Sequence, residues 1–250
     1  MVDETLTLLV PSNAVLYNHP MLIYDLDLPA LTNLLKEWKE PSYRAKQIWQ
    51  GLYQHFYNSP EQFTTLSKPL REKLKELDFA GFSPTLIQDS SDGQTRKTLF
   101  KLHDGHLIEA VLMRYDPDSS SARGRRTLCI STQAGCAMGC VFCATGQLGF
   151  KRHLSSGEIV AQVMYYARLL KEEDLTVTNI VLMGMGEPFH NYDNTMAAID
   201  RLNDAKATTL EQDASRSQPL GWFQPSGDLP TKRDKSTSLF LCMPLTINHV

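Results

Sequence analysis

Three cysteines, Cys136, Cys140 and Cys143, fall within eight residues in the spacing C-x3-C-x2-C, and no other feature restricts so strongly how this chain can fold. Thiolates on one short loop can each reach a different corner of an iron-sulfur cube, which leaves the fourth iron without a cysteine. An open metal position distinguishes catalytic from structural sites, so this loop has to lie where a second ligand can enter. Gly135 and Gly139 suit a tight loop with close backbone approach, and Phe142 is placed to shield the cluster from water. The competing reading is a zinc site completed by His153, since zinc also accepts three thiolates and an imidazole. Structural zinc, however, usually takes its ligands as two separated pairs.

The flanking pattern says what kind of scaffold carries the loop. Thr127 to Ser131 reads as a short strand leading into it. Ser155 with Glu158 three residues later forms a capping box, and Ile159, Val163, Met164, Ala167 and Leu170 recur at helical spacing behind it. Asn179 to Met183 reads as a buried strand ending in Gly184-Met185-Gly186-Glu187-Pro188, with a helix expected from about Asn194 to Leu202. Strand, loop, helix, strand, loop, helix implies parallel β/α units, whose ligands gather at the C-terminal strand ends. S-adenosylmethionine (SAM) can fill an open iron position through its amino and carboxylate groups. The glycines before Glu187 allow a backbone to approach such a ligand, and the carboxylate can receive its ammonium group.

Upstream, residues 25–78 read as helical, with Leu31, Leu34, Leu35 and Trp38 on one face. After a break at Pro41, Ile48, Trp49, Leu52 and Tyr53 form a second. Thr85 to Tyr115 is β-rich, and His103-Asp104-Gly105-His106 is a hairpin turn between Thr98–Leu102 and Leu107–Met113. Asp116 to Gly124 is a loop. Beyond Asp204 only eight of the 34 residues from 205 to 238 are apolar, so this stretch is not expected to pack as another β/α unit. The expected division is an extension at 1–24, a helical accessory domain at 25–80, a β-rich connection at 81–125, a core at 126–204 and a polar tail at 205–250. With 42% apolar residues in 250 the chain can bury a core, and with no basic leader or long apolar run a cytoplasmic protein is expected, with no membrane partner. The net charge of -3 offers no global attraction for nucleic acid. Two local basic clusters, Arg123, Arg125 and Arg126 before the cysteines and Lys151, Arg152 and His153 after them, read either as RNA contacts or as solvated loop charge. Tyr43, Arg44 and Lys46 stand open in the same way, as an RNA-facing patch or the exposed side of an amphipathic helix.

Taken together, Tyr43-Arg44-Ala45-Lys46-Gln47-Ile48-Trp49, the segment from Cys129 to Phe150, and Gly184 to Pro188 closely resemble the RlmN/Cfr family of radical-SAM RNA methyltransferases, from about Asp25 to Asp204. The resemblance implies a partial (β/α)6 barrel behind a helical accessory domain. Cys136, Cys140 and Cys143 would be ligands of a [4Fe-4S] cluster, and Gly186 and Glu187 would contact SAM. It further implies methylation of an adenosine in 23S rRNA, at C2 in the dual-specificity members that also act on tRNA and at C8 in others. An electron donor such as flavodoxin or ferredoxin is implied as well.

Glu109 matches the family's proton acceptor, although on its own it reads as an exposed strand residue. Cys129 occupies the place of the cysteine that resolves the protein-RNA adduct, although on its own it reads as a small buried hydrophobe. The family's later barrel strands and methyl-carrying cysteine are not recognisable after Asp204, and the setting of Cys242 does not match the carrier segment. The expectation is therefore a truncated or frame-shifted product. Alternatives to a working methyltransferase are a module that binds cluster, SAM or RNA, and a fragment without activity.

Overall fold

The computed structural model describes residues 20–117 and 124–204. Its first part is built from short helices that bury one face each. Helix α1 (Leu28–Glu37) begins where the Asp27 carboxylate accepts the Ala30 N–H at 2.7 Å and Pro29 sits in the first turn. It buries Leu31 and Leu35, with Leu34 and Trp38 packed at the margin. Helix α2 (Tyr43–Tyr53) turns Ala45, Ile48, Trp49, Leu52 and Tyr53 inward. A 3-10 turn at Pro60–Gln62 leads to α3 (Lys68–Leu74), which is capped by Ser67 and buries Leu70 and Leu74. Aromatic edges close the space between these helices: Tyr24 on Tyr53, Tyr57 on Phe63, Phe63 on Phe79.

Strands β1 (Phe82–Asp89), β2 (Thr95–Leu102) and β3 (Leu107–Tyr115) form an antiparallel meander. The β2–β3 turn is the expected His103–His106 tetrapeptide, with Gly105 at φ 85° and the Leu102 N–H donating to the His106 carbonyl. Strand β4 (Arg125–Cys129) pairs antiparallel with β3 and leads through the short β5 (Gln133–Ala134) into the cysteine loop. The four-residue α4 (Ala144–Gln147) and β6 (Arg152–His153), which pairs with β5, close the loop. Helix α5 (Ser156–Lys171) then returns the chain to β7 (Asn179–Val181), which pairs parallel with β4, and α6 (Tyr192–Asn203) follows. The strand order is β1-β2-β3-β4-β7, so β1, β2 and β3 belong to the same sheet as β4 and β7.

Register divides the sheet into two faces. Ala110, Leu112, Leu128 and Ile180 are buried on one side under α5, where the Tyr166 hydroxyl also reaches the Ala110 carbonyl at 2.9 Å. Lys97, Glu109, Val111 and Cys129 alternate onto the other face and are only partly buried. A single hydrophobic cluster runs from the first helices through the sheet to α5 and α6. Among the described residues no helix is long and apolar enough to cross a membrane.

Two expectations need correcting. Strand β4 starts at Arg125, two residues early, so Arg125 and Arg126 are strand residues rather than loop charge. Arg126 is buried, with its Nε donating to the Thr176 carbonyl at 2.7 Å, and Arg125 lies over the Tyr115 ring. Arg152 is likewise engaged within the protein, chelating Glu158 through two bonds of 2.7 and 2.8 Å and pairing with Asp104. Arg126 and Arg152 are therefore committed to partners within the protein. Arg123, Cys242 and the tail from 205 to 250 lie outside the described residues.

Candidate SAM and cluster site

The residues from Ile130 to Gly135 carry the chain off β4 into the cysteine loop, and residues 182–187 carry it off the neighbouring β7. Backbone bonds stitch the two segments together. The Gly184 N–H donates to the Ile130 carbonyl at 3.1 Å, and the Thr132 and Gln133 N–H groups donate to the Met185 carbonyl at 2.8 and 3.1 Å. The Met185 N–H donates to Ser131 Oγ at 2.8 Å, while that hydroxyl donates to the Glu109 carbonyl at 2.6 Å. The glycine-glutamate segment and the root of the cysteine loop thus form one unit at the C-terminal end of two parallel strands, where ligands of such sheets bind.

Glycine is required at three points of this unit. A β-carbon on Gly184 would stand 2.7 Å from the Ile130 carbonyl, and one on Gly186, whose φ is +103°, would stand 2.5 Å from Gln133 Cβ. Gly135, at φ +74°, lies so close to the Gly149 carbonyl that any side chain would collide with it. Glu187 donates its N–H to Gln133 Oε1 at 3.0 Å, and its carboxylate accepts the Phe189 N–H at 3.1 Å.

Cys136, Cys140 and Cys143 are each half-buried, on a loop in which the Cys143 N–H donates to the Cys140 carbonyl. The Gly146 and Thr145 N–H groups facing the Cys143 thiol pull its pKa below the ordinary thiol value. Phe142, expected to shield a cluster, is 79% exposed. Among the described residues no three His, Cys, Asp or Glu side chains converge as a metal-ion site. Zinc ligands must meet at ~2.3 Å from one ion, whereas the ligands of a cube bind different irons and stand further apart. The donor set of three thiols on one loop, one of them biased toward thiolate, fits the cluster better than zinc. His153, the candidate fourth zinc ligand, already has Nδ1 within 3.1 Å of Gln133 Nε2.

Glu109 and Cys129 share the less buried face of the sheet. The Glu109 carboxylate meets Lys97 Nζ at 3.0 Å, and Cys129 ends β4 opposite Val111, its thiol pKa raised by burial. Sequence reasoning missed the polar residues that hold this region: Ser131, Gln133, Gln162 and Asn191, all buried. Gln162 brackets Ser131 by accepting its N–H and donating to its carbonyl, both at 2.9 Å. Asn191 donates to the Thr132 and Leu154 carbonyls at 2.8 Å. A glutamine inside the apolar stripe of α5 was the available signal, because an amide buried there has to find partners.

Residues 21–79 match the family described as the ribosomal RNA large subunit methyltransferase N-terminal domain. A solved radical SAM methyltransferase from Sphaerobacter thermophilus superposes with a TM-score of 0.70 at 44% identity, covering 75% of this chain and 53% of that one. The chain thus shares the fold of a radical SAM methyltransferase, an α/β fold comprising a partial barrel behind N-terminal helices. A probable dual-specificity RNA methyltransferase RlmN from Chloroflexus aurantiacus is 47% identical over 193 residues, 75% of this chain and 50% of the relative. The dual-specificity RNA methyltransferase RlmN 1 of Myxococcus xanthus is 48% identical over 184 residues, 73% of this chain and 49% of its own. The chain is similar to RlmN proteins over about three quarters of its own length, and it spans about half the length of the curated relatives it matches.

Proposed function

We propose that this chain carries the cluster and SAM half of an RNA methyltransferase acting at C2 of adenosine in 23S rRNA and tRNA. Cys136, Cys140 and Cys143 would hold a [4Fe-4S] cluster, and Gly186 and Glu187 would receive SAM at its open iron. The observation that carries the reading is the row of bonds joining residues 130–133 to residues 184–187, which brings the two motifs to one sheet end. When bound, the cluster and SAM supply one-electron chemistry and a methyl group.

The remaining roles belong to the chain. Gly184 and Gly186 let the turn pack directly on Ile130 and Gln133, where a side chain would collide, and so set Glu187 beside the root of the cysteine loop. Glu187 offers a carboxylate to an ammonium group. Glu109, held by Lys97, would accept a proton from the base, and Cys129, whose pKa is raised by burial, would resolve an adduct once deprotonated. Residues 25–80 would form the accessory domain, offering exposed Tyr43 and Lys46 to RNA. The reducing partner would be a cytoplasmic flavodoxin or ferredoxin.

Anaerobic reconstitution with iron and sulfide, followed by EPR with and without SAM, tests the assignment. The reduced protein should give a [4Fe-4S] signal that changes on adding SAM, and release 5′-deoxyadenosine. Alanine at Cys136, Cys140 or Cys143 should abolish iron and sulfide uptake, and Cys129→Ser should leave it intact. Full iron content in the first three variants would sink the ligand set.

A further inference from the structure

Gln133 is fully buried in β5, three residues before the first cysteine of the loop, and both ends of its carboxamide are used. Oε1 accepts the Glu187 N–H at 3.0 Å. A backbone N–H can only donate, so this bond decides which end of the amide is oxygen. Nε2 then lies 3.1 Å from Nδ1 of His153 and 3.0 Å from Nδ1 of His190. An amide nitrogen can only donate, so each Nδ1 has to accept, and both imidazoles must be neutral with the proton on Nε2. The two rings are 5.0 Å apart, and Phe150 sets its ring against both, at 5.1 and 5.7 Å. Burial and the neighbouring His190 hold the His153 pKa below the usual value, in keeping with a neutral ring.

The three partners of this amide come from three places. His153 stands where the chain leaves the cysteine loop, Glu187 ends the glycine-rich turn, and His190 lies in the 3-10 turn at Pro188–Asn191. The charged neighbours are occupied elsewhere: Arg152 with Asp104 and Glu158, and the Glu187 carboxylate with the Phe189 N–H.

We propose that Gln133 is a positioning residue which, through the Nε2–H tautomers of His153 and His190, holds the Gly186–Glu187 turn in register with the cysteine loop. The proposal rests on reading Gly186 and Glu187 as SAM contacts. It concerns geometry alone, since both ends of the Gln133 carboxamide are taken up by Glu187, His153 and His190.

The test begins with long-range proton-nitrogen NMR of the full chain labelled in histidine, with the two rings assigned from single substitutions. Wild-type His153 and His190 should both carry the proton on Nε2. Gln133→Glu keeps an acceptor for the Glu187 N–H but cannot donate, so both rings should switch to a protonated Nδ1. A wild-type Nδ1–H on either ring, or unchanged tautomers in Gln133→Glu, overturns the tie. SAM affinity of the cluster-loaded protein is then measured by equilibrium dialysis. Gln133→Glu should weaken it about tenfold at unchanged iron content, and His190→Ala, at an exposed ring, should also weaken it. Switched tautomers with unchanged affinity would overturn the positioning role. Failure of the loaded wild type to bind SAM would instead overturn the SAM reading and this role with it, while the tautomers still report whether the tie exists.

Discussion

A β-carbon built on Gly184 would stand 2.7 Å from the carbonyl carbon and oxygen of Ile130, and that main chain cannot step aside, because the Gly184 N–H donates to the same carbonyl. At Gly186 a positive φ of 103° adds backbone strain, on the order of 1–3 kcal/mol for a residue other than glycine. Gly184→Ala and Gly186→Ala should therefore displace the Glu187 turn and weaken SAM binding at least tenfold while iron and sulfide still load. Dialysis against SAM together with iron analysis checks both halves of that expectation. Glycines followed by a carboxylate were visible in the sequence as a turn able to admit a ligand. That Gly184 faces Ile130 and Gly186 faces Gln133 was not, since those partners lie more than fifty positions upstream and meet them only once β4 and β7 pair.

Helix α5 was the most legible element, because its start and its buried face are both local in sequence. Ser155 Oγ accepts the Glu158 N–H at 3.1 Å, and the Glu158 carboxylate accepts the Ser155 N–H at 2.9 Å. Ser155→Ala removes the first bond, together with the hydroxyl's bond to the Asp25 carboxyl, and leaves the second, so it should cost about 1–2 kcal/mol. Urea unfolding should report this as a lower midpoint with an unchanged slope. Strand β4 was less legible for a physical reason. Arg125 and Arg126 look like loop charge, yet Arg126 is buried by donating to Thr176, fifty positions on. Lys151-Arg152-His153 was open to two readings for the same reason, because the partners that turn Arg152 inward come from a hairpin turn and a helix.

At the scale of the whole molecule, long-range polar ties join parts that the sequence divides. Asp25, ahead of the first helices, accepts the Gly157 N–H at the start of α5 at 2.8 Å, so the helical region and the sheet share a polar seam as well as a core. Arg152 plays the same part for the β2–β3 hairpin, joining Asp104 of its turn to Glu158 of α5. Burial pushes the Asp104 carboxyl up, but the Arg152 guanidinium, the His106 N–H and the Arg152 charge together outweigh it and hold the pKa below its usual 3.8. In that window the unfolded chain binds more protons than the folded one. The stabilisation is therefore complete above the unfolded value and is lost as pH falls through the folded one. Asp104→Asn keeps an acceptor but removes the charge, and should cost about 1–2 kcal/mol at neutral pH. Denaturant titrations of the cluster-free protein and variant should show that gap constant from neutrality down to about pH 5 and closing below about pH 4. A gap that instead widened on acidification would mean that Arg152 is satisfied by Glu158 alone, and that the hairpin is held by its apolar contacts.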